Sequence, residues 1–219
     1  MAAESSSQTS ATQPGAREAR SGGSPRRIAG PDAKNRTVLL DAAERIMLDE
    51  GYAAVTSRRV AAKAGLKPQL VHYYFRTMDD LFLAVFQRRA ELGLQRQAQA
   101  LASPQPLRAL WEYSTDSAGT ALTMEFASLA SHRKNIRAEI ARYSELFRIA
   151  QRDALTDIME RYGVSPEVCT PGALAVLMTS VSRILVMENA LGFSTGHDEM
   201  LALVEERLLQ LEGEPPDPR

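Results

Sequence analysis

Apolar residues recur at intervals of three and four along most of this 219-residue chain, which is the spacing of one face of an α-helix. The first such run starts near Ala33 and stops at Gly51, and the longest extends over about residues 134–161. No stretch shows the alternation of apolar and polar residues that is typical of a half-buried strand. The pattern therefore predicts an all-α protein.

Residues that cap or end helices divide this pattern in the first half of the chain. Thr56 and Gly65 bound a short second helix, and Pro68 opens a third. Thr77 with Asp80 forms a capping-box pattern that opens a long fourth helix, expected to end near residue 101.

The second half of the chain contains further predicted helices. They cover about residues 107–118, 121–131, 134–161, 171–191 and 198–212. Ser165–Pro166 and Thr170–Pro171 each mark a helix start, and the second opens the helix over 171–191, which is apolar enough to be buried on more than one side. Gly192 is expected to end that helix, with Ser194 or Thr195 capping the last one.

The charges are unevenly distributed along the chain. The formal net charge is only −1, but residues 1–90 carry +5 and residues 91–219 carry −6. This asymmetry indicates that the first half faces a polyanion. Residues 1–31 lack apolar periodicity and predict a disordered basic arm, which either lies along DNA phosphates or is a plain solvated tail; residues 214–219 predict a disordered tail.

Several function classes find no support in the sequence. One cysteine, Cys169, allows neither an intramolecular disulfide nor a cysteine-rich zinc site, and His72, His132 and His197 lack metal-ligand spacing. We therefore expect no metal and no cofactor. The longest uninterrupted apolar run is far shorter than the roughly 20 residues of a membrane span, and the N-terminus does not resemble a secretory signal. A cytoplasmic protein without a membrane partner is the expectation.

The second and third predicted helices form a helix-turn-helix pattern. Ala61 is small where two helices approach each other, Gly65 tolerates a left-handed turn conformation, and Val71 follows six residues later as a buried anchor. In such a motif the second helix enters the major groove of DNA.

Three segments together resemble the signature of the TetR (tetracycline-repressor) family: Thr56–Lys67, Val71–Phe75 and Asp79–Leu81. The resemblance implies a helix-turn-helix DNA-binding domain over residues 32–78 and a larger helical domain over 79–213 that binds a ligand and dimerises. It further implies a homodimeric repressor that binds a palindromic double-stranded DNA operator and is released by a small-molecule effector.

The resemblance also implies DNA contacts. Arg58 is the strongest candidate for a base or phosphate contact, and Phe75 is expected to pack in the domain core instead. The candidate DNA-binding residues are Thr56, Ser57, Arg58, Lys67, Gln69, Leu70, His72, Tyr73 and Tyr74. The chain departs from many relatives at Met78, where they carry a lysine, so one phosphate contact is expected to be missing.

Two further sets of residues follow from the resemblance. An apolar effector pocket is expected to be lined by Trp111, Tyr113, Met124, Phe126, Tyr143 and Phe147, although an apolar stripe at helical spacing is also typical of plain core. A dimer interface is expected at Leu177, Val181, Ile184, Leu185, Leu201, Val204 and Leu208. The ligand is expected to be largely apolar.

Two motifs invite an enzymatic interpretation that the context disfavours. Gly192–Gly196 matches the GxSxG elbow of serine hydrolases, but a helix rather than a strand is predicted before it. Ser131–Lys134 matches SxxK without its companion motifs. The rival hypotheses are therefore a DNA-binding regulator without a ligand and a helical dimeric interaction protein without ligand or specific DNA binding.

Overall fold

The computed structural model of the protein describes residues 31–215. Residues 1–30 and 216–219, which make up most of the predicted arm and tail, lie outside the described residues. Pro31, which we assigned to the arm, is the first residue of helix α1 instead.

The described part of the chain is entirely helical apart from its turns, which confirms the predicted all-α class. A short 3-10 helix, Tyr52–Ala54, follows the first helix. The α-helices are α1 (Pro31–Glu50), α2 (Ser57–Lys63), α3 (Pro68–Tyr74), α4 (Met78–Leu101), α5 (Pro106–Ser114), α6 (Ser117–His132), α7 (Lys134–Arg161), α8 (Pro171–Leu191) and α9 (His197–Glu212).

Three predicted boundaries in the second half of the chain were wrong. The Ser165–Pro166 start forms only a turn, in which the Ser165 hydroxyl accepts a hydrogen bond from the backbone N–H of Glu167 at 3.2 Å. Helix α5 stops at Ser114, before the predicted end near residue 118, and α6 starts at Ser117, before the predicted start near residue 121.

The start of α9 was predicted near residue 198 and lies at His197, but the predicted cap was wrong. Gly196 occupies its N-cap position with φ +85°, and neither Ser194 nor Thr195 supplies a side-chain cap. The carbonyl of Ser194 instead accepts the backbone N–H of His197 at 3.0 Å. The predicted end of α8 is confirmed, since Gly192 adopts the left-handed conformation with φ +85°.

Two clusters of buried side chains hold the helices together. The first joins α1, α2 and α3 to α6 and to the starts of α4 and α7, so it includes residues on both sides of the domain boundary predicted at residue 78. The second joins α5, the end of α7, α8 and α9. Burial of this apolar surface is the main stabilising contribution.

Within the single chain, helix α8 packs on α7, α5 and α6 through the face that carries Ala175, Met178, Ser182 and Leu185. Its other face leaves large apolar side chains exposed, among them Val176 (51%), Leu177 (58%) and Ile184 (46%). By length and composition alone, α8 is the one helix among residues 31–215 that is apolar enough to cross a membrane. The core helix of a soluble protein passes the same test.

Candidate DNA-binding surface and ligand cavity

The helix-turn-helix is built on small and apolar buried residues. Val60 and Ala61 of α2 and Val71 of α3 are almost fully buried, and Phe75 closes the cluster at 3% exposure, as expected for the core of this small unit. The turn between the helices depends on Gly65, whose φ of +65° confirms the predicted left-handed conformation.

The remaining surface of this unit is polar and exposed. Thr56 caps α2, because its hydroxyl accepts a hydrogen bond from the backbone N–H of Arg59 at 3.3 Å. Tyr73 is 65% exposed, and its ring lies edge-on against Tyr74 with 5.0 Å between the ring centroids. The other exposed candidates are Arg58, Lys67, Gln69 and His72, whereas Ser57, Leu70 and Tyr74 are half-buried.

Met78, which replaces the lysine of many relatives, has a packing role in this chain. It is the first residue of α4 and packs, half-buried, against the first core cluster. Its neighbour Arg76 is exposed and brings positive charge to the same surface.

The larger part of the chain contains a cavity of about 270 Å³ that is lined by α4, α5, α6, α7 and α8. Four of the six predicted pocket residues line it: Tyr113, Phe126, Tyr143 and Phe147. Trp111 packs against the second core cluster instead, and Met124 is 43% exposed on the surface. Their positions do not favour a pocket role for these two residues.

The floor of the cavity is aromatic. The Phe86 ring lies edge-on to Phe126 with 5.2 Å between centroids, and to Tyr143 at 5.6 Å. Gly93 allows a close approach here, because a Cβ there would lie 2.9 Å from Cζ of Phe147 and 3.2 Å from the hydroxyl of Tyr113, so these side chains would have to shift.

The wall of the cavity carries charged side chains that were absent from the predicted pocket lining. Arg89, Arg96, Arg148 and Arg183 line it, together with a single carboxylate, Asp116. A signal was present in the sequence, because Arg89 and Arg96 are seven residues apart on α4 and so share one helix face with Gly93. Arginines on the same face as cavity-lining positions would have indicated a charged lining.

Burial changes the proton affinity of two groups in this wall. Desolvation raises the pKa of the Tyr113 phenol, while the positive charge of Arg96 acts in the opposite direction. Desolvation also lowers the pKa of Arg183, and the like charge of Arg148 adds to that shift. Arg183 nevertheless keeps an exposed surface in the single chain, so it stands at the mouth of the cavity rather than deep inside it.

The basic residues before α7 have structural partners. Arg133 forms an ion pair with Asp79 at the start of α4 and lies over the ring of Phe82. Arg137 donates to the carbonyl of Ala130 at 3.2 Å and to that of Ser131 at 2.9 Å, at the end of α6. These contacts favour a role in joining helices over a role in ligand binding.

Some predicted interface residues are buried within the chain. Leu185 (7% exposed) and Leu208 (6%) pack in the core, which favours a core role for them. Leu177, Ile184 and Leu201 are exposed, whereas Val181 and Val204 are half-buried.

The residues that match the serine-hydrolase motif are not surrounded by the elements that this motif requires. Gly192–Gly196 is the loop between α8 and α9, and no strand precedes it in the described part of the chain. The ring of His197 is hydrogen-bonded through Nε2 to Glu188 at 2.8 Å, which ties the start of α9 to α8. Between residues 31 and 215, no group of three His, Cys, Asp or Glu side chains is arranged to hold a metal ion.

Comparison with known proteins gives a consistent result. The sequence signature described as "Bacterial regulatory proteins, tetR family" matches residues 39–85. The HTH-type transcriptional regulator BetI of Rhizobium meliloti is 39% identical over 67 residues, which are 31% of this chain and 32% of that protein. The chain thus matches about a third of the length of this curated relative.

Solved structures resemble the fold over a greater length. A TetR transcription regulator from Haloarcula marismortui covers 80% of this chain and 96% of its own, with a TM-score of 0.63 and 17% identity. The fatty acid degradation regulator FadR from Bacillus halodurans covers 85% and 98%, with a TM-score of 0.63 and 16% identity. A transcriptional regulator from Saccharomonospora viridis, solved with choline, covers 80% and 95%, with a TM-score of 0.66 and 16% identity.

Proposed function

We propose that this chain, whose residues 39–85 match the signature of the TetR family of bacterial regulatory proteins, is a transcriptional regulator that binds a palindromic DNA operator as a homodimer. The observation that carries the proposal is the exposed polar face of α2 and α3. Arg58 stands there without an ion-pair partner among the described residues, and Gln69, His72 and Tyr73 are all exposed. Such side chains make base and phosphate contacts in the major groove.

The dimer is proposed from the apolar face of α8. Val176, Leu177 and Ile184 form a patch that soluble monomers rarely leave exposed, and Leu201 and Leu203 of α9 are 44% and 48% exposed. A second copy of the chain that covers this patch would hold two helix-turn-helix units at a fixed separation. Two half-sites on one face of DNA require a separation of about 34–36 Å or a multiple of it.

The cavity supports a ligand-responsive mechanism. Helix α4 begins beside the helix-turn-helix and lines the cavity further along, so a ligand that shifts α4 would change the separation of the two recognition helices. The choline bound to the Saccharomonospora neighbour supports a small-molecule ligand in this fold. We further propose that the chain acts as a repressor in the cytoplasm and has no catalytic activity.

Nuclease footprinting of the DNA upstream of its own gene tests this function. We expect two protected half-sites related by a dyad, with their centres about one or two helical turns apart. The matched control is Tyr73→Ala, which removes an exposed side chain from α3 and should abolish the footprint without unfolding the chain. Wild-type protein that protects no segment at concentrations where it is folded would contradict the proposal and favour an interaction protein without specific DNA binding.

A further inference from the structure

The charge balance of the cavity wall is strongly positive. Of its four arginines, only Arg89 has an acidic partner, Glu44 of α1, at 3.6 Å. Within residues 31–215, no carboxylate lies within ion-pair distance of Arg96, Arg148 or Arg183. The cavity therefore presents three guanidinium groups whose charges the chain itself does not neutralise.

Of these three arginines, Arg148 is the one with a buried hydrogen-bond donor that has no acceptor. It is half-buried on α7, and its Nη1 is buried without a hydrogen-bond partner in the described structure. A buried donor without an acceptor destabilises a protein because it has lost its bonds to water. Arg148 also lines the cavity, where the rest of its planar guanidinium can bind a carboxylate or sulfonate through charge-assisted hydrogen bonds.

Arg183 approaches the same place from α8. The charge of Arg148 contributes to the lowered pKa of Arg183, so the two guanidinium groups are close enough to repel each other. An anion between them would remove that repulsion. Tyr113, on which Arg96, Arg89 and Arg183 all act electrostatically, adds a phenol hydroxyl that can donate to the same anion.

The lining also has an apolar part. Phe86, Phe126 and Phe147 line the cavity there, next to the small gap that Gly93 leaves between helices. The cavity of about 270 Å³ lies near the lower end of the range of about 300–1,000 Å³ that is typical of small-molecule sites.

We propose that this cavity binds a small amphipathic anion, with its oxyanion group held by Arg148 and Arg183 and its apolar body against Phe126 and Phe147. A cationic ligand is disfavoured because it would meet three like charges. The inference rests on the proposed function only in that the anion would be the effector, and it replaces the expectation of a largely apolar ligand.

A matched pair of fluorescent probes tests the proposal on the full-length protein. The anion 8-anilinonaphthalene-1-sulfonate and the neutral N-phenyl-1-naphthylamine share one skeleton and differ by the sulfonate group. We expect saturable binding of the sulfonate. Arg148→Gln and Arg183→Gln should each weaken it about tenfold, which corresponds to the loss of one charge-assisted hydrogen bond, and leave binding of the neutral probe unchanged.

Arg152→Gln is the matched control, because Arg152 lies one helical turn after Arg148 on α7, is exposed and is paired with Asp153 at 2.6 Å. It should leave both probes unaffected. The thermal midpoint of Arg148→Gln without probe should be equal to or higher than that of the wild type, since the substitution removes an unpaired buried donor. This measurement also shows that the variant is folded, and Arg183→Gln offers a second, more exposed position.

Three results would overturn the proposal. The first is no saturable binding of the sulfonate, and the second is an equal loss of sulfonate affinity in Arg152→Gln and Arg148→Gln. The third is sulfonate binding that survives both cavity substitutions and disappears only with Leu177→Asp on the outer face of α8. None of these results bears on operator binding. Conversely, sulfonate binding that depends on Arg148, in a protein that leaves no footprint on DNA, would support the anion site and contradict the proposed regulatory function.

Discussion

The basic side chains of α2 differ in whether an acidic side chain forms an ion pair with them. Arg59 is paired with Glu50 at the end of α1, and Lys63 is paired with Asp49 at 3.0 Å. Arg58 is exposed and has no carboxylate within ion-pair distance in the described part of the chain. Its position in the first turn of α2 places it beside free backbone N–H groups, which favour a phosphate. Arg58 is therefore the residue on this helix that is most available to DNA.

We expect Arg58→Ala to weaken operator binding by about 1–3 kcal/mol if the guanidinium reads a base. Anisotropy titrations on operator and on scrambled DNA measure the effect. A loss confined to the operator identifies a base contact, whereas an equal loss on both identifies a phosphate contact. Arg59→Ala is the matched neighbour and should cost less, because Glu50 already holds that side chain. An Arg58→Ala protein with wild-type affinity on both DNAs would remove Arg58 from the interface.

At the scale of elements, the start of α4 is held by a reciprocal cap. The backbone N–H of Asp80 donates to the Thr77 hydroxyl at 3.1 Å, and the backbone N–H of Thr77 donates to Oδ2 of Asp80 at 3.0 Å. Arg133 adds an ion pair to Asp79 in the same turn. These contacts fix the start of α4, the helix that links the helix-turn-helix to the cavity.

Thr77→Ala removes one half of this cap and should lower the free energy of unfolding by about 1 kcal/mol, as measured by denaturant titration. Thr156→Ala is the control. Thr156 lies inside α7, where its hydroxyl bonds only to the carbonyl of Arg152 at 3.0 Å, so alanine should cost little or stabilise the helix. Equal effects of the two substitutions would argue against a special role for the cap.

A second connection joins α6 to the 3-10 helix after α1. The backbone N–H of Tyr52 donates to Oε2 of Glu125 at 2.6 Å, and the preceding Gly51 has a φ of +81°, which residues with a side chain rarely adopt. Glu125 is on the helix that also supplies Phe126 to the cavity. The bond therefore connects the segment before the helix-turn-helix to the cavity lining independently of α4.

We expect Glu125→Ala to lower the free energy of unfolding by about 1–2 kcal/mol, because it leaves the Tyr52 N–H without its charged acceptor. Glu125→Gln keeps an acceptor oxygen and should recover most of the loss. Hydrogen exchange at the Tyr52 amide gives a local readout, with faster exchange expected in Glu125→Ala. Unchanged exchange at that amide would show that the bond contributes nothing.

The helices whose ends are marked by local chemistry could be predicted from the sequence. Thr56, Thr77 and Thr170 each accept a hydrogen bond from a backbone N–H in the first turn of the helix that follows, so these starts were predicted correctly. The Ser165–Pro166 start failed because Ser165 closes a turn on itself, and a cap residue alone does not distinguish a turn from a helix. Local signals determine helix ends only where packing does not override them.

At the scale of the whole molecule, the exposed face of α8 is the surface through which we propose that two copies of the chain associate. Leu177→Asp places a charge at a position that is 58% exposed in the single chain, so it should leave the fold intact but disrupt the association of two copies. Light scattering should then give the monomer mass. The control is Val168→Asp, at an apolar residue that is 82% exposed and lies in the turn before α8. A monomeric wild-type protein at micromolar concentration would contradict the dimer.

The candidate sites differ in how much of them the sequence could predict. The DNA-binding surface lies within 20 consecutive residues, so its layout follows from one motif: Val71 and Phe75 are buried, and His72 and Tyr73 face outward. The cavity draws on five helices, and only its aromatic part was predicted. Arg148 and Arg183 come together through packing of α7 and α8, a non-local event that helical periodicity does not describe.

The central claim, that the surface of α2 and α3 recognises a specific DNA sequence, is tested most directly by fluorescence anisotropy. The wild-type protein is titrated with its own upstream DNA and with scrambled DNA of equal length, each at two salt concentrations. We predict tighter binding to the upstream DNA at both concentrations, with affinities that fall steeply as salt rises because phosphate contacts release counterions. Binding to the upstream DNA that is no tighter than binding to the scrambled DNA would contradict the account.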